Sequence, residues 1–153
     1  KQLSKQHYTY DLLIYANQIQ EAIELIKSVE DLPIVLDHIA KPSIKTKSMQ
    51  DWEKDIRALA KYPNLYCKIS GMATEADWTR WKAEDLKPYL DIVVEAFGVD
   101  RLLFGSDWPV CLVASSYERW LNTIKDYFKE FSSTEQEKIF ALNCESFYTL
   151  EKA

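Results

Sequence analysis

Polar residues that could take part in acid–base or metal chemistry follow directly behind short apolar runs of this chain. Asp37 and His38 come after the run LPIVL, and Asp107 follows LLFGS. A positioned carboxylate can accept a proton from water, and a neutral imidazole can bind a metal ion. Both residue types also occur in structural roles: Asp107 can cap the turn that Asp-Trp-Pro favours, and His38 can be a hydrogen-bonded histidine at a strand end.

Strand periodicity limits which of these side chains can act together. Lys68 and Ser70 are two residues apart in LYCKIS, so they are expected to share one face of a strand. Asp37 and His38 are neighbours, so only one of them is expected to face the interior of a barrel. Lys68 can also pair with a nearby carboxylate, and Asp37 can bond backbone near the turn at 41–42.

The rare residues limit the metal and redox sites that this chain can form. There are two histidines, His7 and His38, so neither HxH nor HExxH occurs. At most His38 and a few carboxylates can contribute ligands to a metal site that is completed elsewhere. The three cysteines are far apart and form no CxxC pair, which predicts reduced thiols in a cytoplasmic protein rather than a zinc knuckle or a disulfide framework.

Short apolar runs alternate with helical patterns along the whole chain. The runs are too short for helices and lack clean alternation, which is typical of strands buried on both faces. The predicted strands are 10–15, 32–36, 65–69 and 101–104. The predicted helices are 18–29, 48–62, 84–97, 115–131 and 133–142, with Ser48 and either Ser133 or Thr134 as N-caps and Gly98 at a helix C-terminus.

Regular alternation of strands and helices predicts a parallel sheet with right-handed crossovers. Four such units fit a small open sheet, and they fit equally well half of an eight-unit barrel of about 250 residues. No linker or change of composition divides the chain. In either architecture a ligand binds at the carboxyl ends of the strands, where Asp37, His38 and Asp107 are found.

Composition excludes several classes of function. The chain has 153 residues, 47% of them hydrophobic, and a formal charge of −5, so binding of nucleic acid or an anionic membrane through bulk charge is not expected. No apolar run approaches the roughly 20 residues that cross a bilayer. With three glycines there is neither GxGxxG nor a P-loop, which disfavours a flavodoxin-like binding domain. The start at Lys1, without Met or a signal sequence, suggests a piece of a longer protein.

Three motifs in the order of the predicted strands carry a family resemblance: LDHIAKP at 36–42, NLYCKISG at 64–71 and FGSDWP at 104–109. The sequence resembles the amidohydrolase-related metal-dependent hydrolases, and more narrowly the sugar-lactonase group that includes L-fuconolactonase and 2-pyrone-4,6-dicarboxylate lactonase. The match extends from Tyr10 to Tyr148. Ala40 stands where the family usually has glycine, and Cys144 where alanine is common.

The resemblance implies an α/β fold that is the C-terminal half, the last four β/α units, of a distorted TIM-type (β/α)₈ barrel. Residues 1–153 would then form a single partial domain, and the HxH of the first barrel strand would lie outside it. The implied activity is hydrolysis of the lactone ester of a sugar acid or a related small carboxylate by water that an aspartate activates.

The same resemblance assigns roles to five residues. Asp107 matches the eighth-strand aspartate that activates water, and His38 matches the sixth-strand histidine that could polarise the carbonyl, so these two are the expected catalytic residues and metal ligands. Lys68, Trp108 and Asp11 are the expected substrate-binding residues: Lys68 for an oxyanion or carboxylate, Trp108 for stacking on a sugar ring, and Asp11 in a structural or substrate-facing position.

Cofactor and alternative functions stay open at this point. The family generally uses one divalent ion, with zinc as the first expectation, although some lactonases of this group work without metal. The expected partner is a small lactone or carboxylate, with no nucleic acid or membrane, and a homo-oligomer fits as well. The alternatives are a decarboxylase of the same superfamily and, for the isolated chain, an inactive half-barrel that binds a ligand.

Overall fold

The computed structural model describes residues 2–150 and contains a four-stranded parallel sheet whose strands follow the order of the chain. The strands are β1 (Tyr10–Leu12), β2 (Ile34–Leu36), β3 (Leu65–Ile69) and β4 (Leu102–Phe104). Neighbouring strands pair in parallel, with Val35 opposite both Asp11 and Tyr66. This order is the one expected for consecutive β/α units, because each connection returns to the next position in the sheet.

One short helix precedes the sheet, and the other helices connect and follow the strands. They are α1 (Gln2–Lys5), α2 (Ile19–Lys27), α3 (Gln50–Leu59), α4 (Met72–Glu75), α5 (Ala83–Phe97), α6 (Tyr117–Phe128), α7 (Ser133–Glu137) and α8 (Asn143–Phe147). A π-helical segment (Lys138–Leu142) joins α7 to α8, and short 3₁₀ segments lie at Ala16–Gln18, Asp37–Ala40, Ile44–Thr46, Val99–Arg101 and Val110–Val113. Among the described residues no helix has both the length and the apolar character that crossing a membrane requires.

The main core lies between one face of the sheet and the long helices. Ile34, Cys67 and Ile69 on the sheet pack in the same cluster as Ile56 of α3 and Ile124 of α6, and all five are fully or almost fully buried. Alternate strand residues point to this face, so burial along β3 follows a period of two, with Leu65, Cys67 and Ile69 buried and Tyr66 and Lys68 partly exposed. The opposite face is the inner face of the sheet, and it carries the polar residues.

The end of the chain covers one part of the inner face. Phe147 at the end of α8 packs with Val35 and Leu103, and the Tyr66 ring lies 5.0 Å from the Phe147 ring. Asn143 at the start of α8 donates hydrogen bonds to two backbone carbonyls, those of Val99 and Leu102, which attaches this segment to β4. The inner face is therefore closed at this end by aromatic side chains.

The predicted elements agree with the structure more closely in type than in boundaries. All four strands are confirmed, although only β3 has the predicted bounds and the other three begin or end one to three residues inside them.

Two predicted helix N-caps are wrong. Helix α3 begins after Met49 rather than Ser48, and the N-cap of α7 is Ser132, which forms a reciprocal capping box with Glu135. Ser132 gives both the hydroxyl and the spacing to Glu135 that a capping box requires, so it competes successfully with Ser133 and Thr134.

The edges of the sheet generate a first prediction. Within residues 2–150, β1 and β4 each have a neighbouring strand on one side only, and unpaired edges favour association between chains. We expect concentration-dependent self-association in sedimentation velocity. Leu13 follows β1 and is 58% exposed, so Leu13→Lys should weaken association, whereas Leu25→Lys on α2 (42% exposed) should leave it unchanged. A monodisperse monomer at all concentrations would contradict this expectation.

Candidate active site

A left-handed turn at the carboxyl end of β2 presents the candidate histidine. Four consecutive residues that are not glycine have positive φ: His38 at 54°, Ile39 at 48°, Ala40 at 59° and Lys41 at 46°. An L-residue in this region costs roughly 1–2 kcal/mol because Cβ approaches the carbonyl oxygen, and a β-branched residue such as Ile39 is especially unusual there. Strain of this kind persists only when the surroundings hold it, and it is concentrated at functional sites.

Burial and hydrogen bonds hold the turn in place. Ile39 and Ala40 have no exposed surface. The Trp52 indole N–H donates to the Ile39 carbonyl at 2.8 Å, and the Lys41 N–H donates to the His38 carbonyl at the same distance. Burying an isoleucine side chain contributes about 1.5–3 kcal/mol, which is comparable to the penalty of one or two of the four left-handed residues.

The turn overturns one expectation from strand periodicity. Asp37 and His38 were expected to point to opposite faces, but both contact residues of the inner face: Asp37 pairs with Lys68, and His38 contacts Ser70. The reason is that β2 ends at Leu36, so the alternation of an extended strand no longer applies to the two residues that follow. Both residues can therefore belong to one site.

His38 and Asp107, from the ends of β2 and β4, meet above the inner face. The distance from His38 Nε2 to Asp107 Oδ1 is 3.5 Å, an electrostatic contact rather than a well-formed hydrogen bond, and the two side chains are only 16% and 11% exposed. The other imidazole nitrogen, Nδ1, lies 2.8 Å from Ser70 Oγ. Asp107 also has a left-handed backbone, with φ of 56°. The two predicted catalytic residues are thus adjacent, and Nε2 is the nitrogen on the side of Asp107.

Burial decides the protonation state of His38. Removal from water lowers the pKa of the His38 imidazole, and this effect exceeds the opposing attraction of Asp107 and Asp37. The folded chain therefore holds a neutral imidazole at neutral pH. Neutral imidazole is the form that can bind a metal ion or donate a hydrogen bond to a carbonyl while keeping its second nitrogen unprotonated.

Lys68 lies in a separate ion cluster on the same face. Its ammonium is 2.5 Å from Asp11 Oδ2 and 2.9 Å from Asp37 Oδ1, and the Tyr148 hydroxyl donates to Asp11 at 2.8 Å. Burial disfavours the charged ammonium, but the contacts with Asp11, Tyr148 and Asp37 outweigh it and raise the pKa of Lys68. The predicted substrate-binding pair Lys68 and Asp11 is therefore brought together, as partners of each other.

Trp108 lies apart from this cluster, on the loop that follows β4. It is 65% exposed, and its backbone N–H donates to Ser106 Oγ at 3.2 Å. Another tryptophan fixes the start of the loop, because the Trp120 indole of α6 donates to the Gly105 carbonyl at 2.8 Å. Trp108 directly follows Asp107 in the chain, and its exposed indole is accessible to a ligand.

The donors present do not complete a metal site. Structural and catalytic zinc sites use at least three protein ligands. His38 Nε2 and Asp107 Oδ1 could provide at most two, and in the part of the chain that the structure describes no group of three or more His, Cys, Asp or Glu side chains could hold a metal ion. The three cysteines are free thiols, with Cys67 and Cys111 buried and Cys144 half-buried, and none of them belongs to such a group within residues 2–150.

Comparison with known proteins identifies the family. A family model described as Amidohydrolase matches residues 9–150. The chain belongs to the amidohydrolase family. It is 40% identical to an L-fucono-1,5-lactonase of Burkholderia multivorans in an alignment of 134 positions that covers 77% of this chain and 45% of that protein.

Solved structures of amidohydrolases share the fold. A zinc-bound Burkholderia multivorans amidohydrolase superposes with a TM-score of 0.92 at 33% identity, covering 97% of this chain and 55% of the other. A Pseudomonas putida structure assigned as a 2-pyrone-4,6-dicarboxylic acid hydrolase superposes with a TM-score of 0.80 at 18% identity, over 99% of this chain and 55% of the other. The chain spans about half the length of the curated relatives it matches. These matches confirm the predicted fold class, a four-unit α/β portion of an amidohydrolase barrel.

Two residues at the site were not assigned roles from the sequence. Ser70 was recognised only as sharing a face with Lys68, and Tyr148 only as part of the family match. The spacing of two residues between Lys68 and Ser70 could have indicated Ser70, because it places a second polar side chain on the inner face at the end of the strand. Nothing local marks Tyr148, which reaches Asp11 across 137 positions of the chain.

Ala40 provides a test of the strained turn. Glycine at φ of 59° removes the left-handed penalty, and this gain offsets the lost methyl group and the greater freedom of the unfolded chain. We expect Ala40→Gly to change the free energy of unfolding by less than ~1 kcal/mol in urea. The matched variant Ala22→Gly, at a buried helical alanine of α2, should cost about 2 kcal/mol. Equal losses in both variants would argue against strain.

Lys68 provides a test of the ion cluster. Lys68→Met leaves Asp11 and Asp37 without their shared cation, so we expect it to lower the free energy of unfolding by about 2 kcal/mol. The control variant Lys54→Met, on the exposed side of α3, should lower it by less than ~0.5 kcal/mol. Because the pKa of Lys68 is raised, its contribution is present below about pH 10.4 and is lost as pH rises further, through the raised value. A deficit that vanished already near neutral pH would contradict this assignment.

Proposed function

We propose that this chain supplies the base and the carbonyl-polarising residue of a lactonase that opens the ring ester of a sugar acid or a related small carboxylate. One observation carries the proposal: a largely buried imidazole and a largely buried carboxylate from two strand ends lie 3.5 Å apart, with Nε2 on the shared side. The lactonase name of a 40% identical relative supports the substrate class.

Ester hydrolysis assigns complementary tasks to the two side chains. Asp107 takes a proton from a water molecule as the water oxygen attacks the lactone carbonyl carbon, since water is a poor nucleophile until its proton has an acceptor. The neutral imidazole of His38 donates from Nε2 to the carbonyl oxygen, where negative charge develops in the tetrahedral intermediate. Collapse of this intermediate breaks the ring C–O bond, and the proton held by Asp107 passes to the departing alkoxide oxygen.

The remaining predicted residues are proposed to position the substrate. Trp108 is exposed beside Asp107 and offers an apolar face for a sugar ring. Asp11 is 41% exposed while Lys68 is 20% exposed, so a substrate carboxylate could replace Asp11 at the Lys68 ammonium only by breaking an existing ion pair. We therefore propose that the main role of Lys68 is to neutralise Asp11 and Asp37, and that the exposed part of its ammonium group also contacts the substrate.

A divalent ion would supply Lewis-acid activation of water or the carbonyl if further ligands completed the site. His38 Nε2 and Asp107 Oδ1 are the donors of this chain that could bind it. The zinc-bound relative, at 33% identity, makes zinc the first choice for such an ion. The proton transfers described above use only the side chains of this chain.

The test uses this chain alone and in a chimera. The chain matches only 45% of the Burkholderia multivorans L-fucono-1,5-lactonase, so the unmatched part of that protein can be fused to it. We expect the isolated chain to hydrolyse no lactone and the folded chimera to hydrolyse a member of a panel of sugar-acid lactones. Asp107→Asn should lower kcat about 10²–10⁴-fold because the general base is removed. Asp126→Asn, at an exposed aspartate of α6, should leave kcat unchanged.

Three outcomes would contradict parts of the proposal. Lactone hydrolysis by the isolated chain that Asp107→Asn abolishes would show that this chain suffices. A folded chimera that decarboxylates aromatic acids and opens no lactone would favour the decarboxylase alternative. Equal activity of the Asp107→Asn and Asp126→Asn chimeras would remove Asp107 from the mechanism.

A further inference from the structure

We propose that Ser70 is a positioning residue whose hydroxyl holds Nδ1 of His38 and thereby directs Nε2 toward Asp107 and the reacting carbonyl. The catalytic consequence rests on the proposed lactonase function, whereas the positioning of the imidazole follows from the geometry alone. Ser70 touches no reacting atom in this scheme and acts through His38.

Ser70 is placed for this role by the end of β3. The residue directly follows the strand, is 1% exposed, and its Oγ lies 2.8 Å from His38 Nδ1. The contact joins the carboxyl ends of β2 and β3 across 32 positions of the chain. A buried hydroxyl without a hydrogen-bond partner destabilises the fold by about 1–3 kcal/mol, because it has lost its contacts with water. The contact with His38 is therefore strongly favoured.

Two glycines allow the His38 ring and the Ser70 side chain to pack directly against the backbone. A Cβ on Gly71 would stand 2.6 Å from His38 Cγ and 2.7 Å from Nδ1, and Gly71 has a left-handed φ of 62°. A Cβ on Gly105 would stand 2.9 Å from Ser70 Cβ and 3.3 Å from Ser70 Oγ. The ring therefore packs directly on the backbone of residue 71, and the serine that holds it packs directly on the backbone of residue 105.

Electrostatics around the ring selects a tautomer. Asp107 Oδ1 lies 3.5 Å from Nε2, and a carboxylate oxygen accepts hydrogen bonds through its lone pairs, so an unprotonated Nε2 would face it lone pair to lone pair. The arrangement without this repulsion has the proton on Nε2 and the Ser70 hydroxyl donating to Nδ1. In this arrangement Nε2–H is available as the donor that a developing oxyanion needs.

A hydroxyl has a property that a carbonyl or carboxylate partner lacks. It can donate to Nδ1, or rotate and accept from Nδ1–H when a cation occupies the Nε2 lone pair. Partners on the far side of a ligating histidine typically change activity or metal affinity by 10–100-fold when removed. Ser70 thus supports His38 both as a hydrogen-bond donor and as a ligand, which an acceptor-only group would not.

The first test needs no activity. The chain contains two histidines, so long-range ¹H–¹⁵N spectra of the ¹⁵N-labelled protein show two imidazoles, and His7→Gln assigns them. We expect one Nε2–H tautomer for His38, with an Nδ1 resonance that shifts on Ser70→Ala because its hydrogen bond is lost. The matched control is Ser115→Ala, at a serine that is 7% exposed and donates to the Ser116 carbonyl. Identical His38 resonances in wild type and Ser70→Ala would overturn the proposal.

A second variant keeps the test decisive if Ser70→Ala fails to fold. Gly105→Ala leaves the hydroxyl present and displaces it, so it should shift the same Nδ1 resonance. Gly105 has no left-handed φ that would penalise alanine. Unchanged His38 resonances in a folded Gly105→Ala protein would overturn the proposal equally.

The second readout separates this inference from the proposed function. In the chimera, Ser70→Ala should lower kcat about 10–100-fold with little change in KM, because the substrate still binds while the donor is misdirected. Ser115→Ala should change neither. If the chimera lacks lactonase activity but Ser70→Ala still shifts Nδ1, the proposed function fails while the positioning of His38 stands. A fall in kcat no larger than that of Ser115→Ala would overturn the catalytic part of the inference.

Discussion

The arrangement of the candidate site depends on one constraint, the burial of a left-handed turn. A run of four L-residues with positive φ is unfavourable by itself, and it exists here because Ile39 and Ala40 have no exposed surface and the Trp52 indole holds the Ile39 carbonyl. The turn begins at His38, two residues after the last residue of β2, so it redirects the chain at the point where ligands bind in α/β proteins. Without it, Asp37 and His38 would continue the alternation of the strand and could not share a face.

This constraint gives the inner face two electrostatic environments. In one, Lys68 balances Asp11 and Asp37, so charges are paired close to one another. In the other, burial keeps His38 neutral beside Asp107, with Ser70 holding the opposite side of the ring. The turn connects the two, because its first residue, His38, belongs to the candidate catalytic pair and directly follows Asp37, which belongs to the ion cluster. The Lys68 ammonium thereby neutralises two neighbouring carboxylates that would otherwise repel each other.

The end of the chain contributes to the same balance. Tyr148 donates to Asp11, and its ring lies 5.5 Å from the Lys68 ammonium. Burial, together with the hydrogen bond to Asp11, outweighs the influence of Lys68 and raises the pKa of Tyr148 to about 12, so the phenol stays protonated and able to donate. Phe147 packs on Val35 and Leu103 beside it. A segment far along the sequence therefore closes one part of the inner face and supports residues from β1 and β3.

The sequence by itself determined the class of fold and the identity of the candidate residues. Apolar runs separated by amphipathic helices specify parallel β/α units, because buried strands and one-sided helices have different periodicities. Three motifs, which contain His38, Lys68 and Asp107, indicate the amidohydrolase family, whose model matches residues 9–150. The tertiary structure alone decided how these residues meet. It placed Asp37 and His38 on one face, paired Lys68 with Asp11, and brought Ser70 to Nδ1 and Tyr148 to Asp11. These outcomes could not be predicted from sequence for two reasons. A left-handed backbone is stabilised by tertiary packing, which the local sequence does not encode. Ion pairs and hydrogen bonds between residues 32 to 137 positions apart produce no periodic pattern in the sequence.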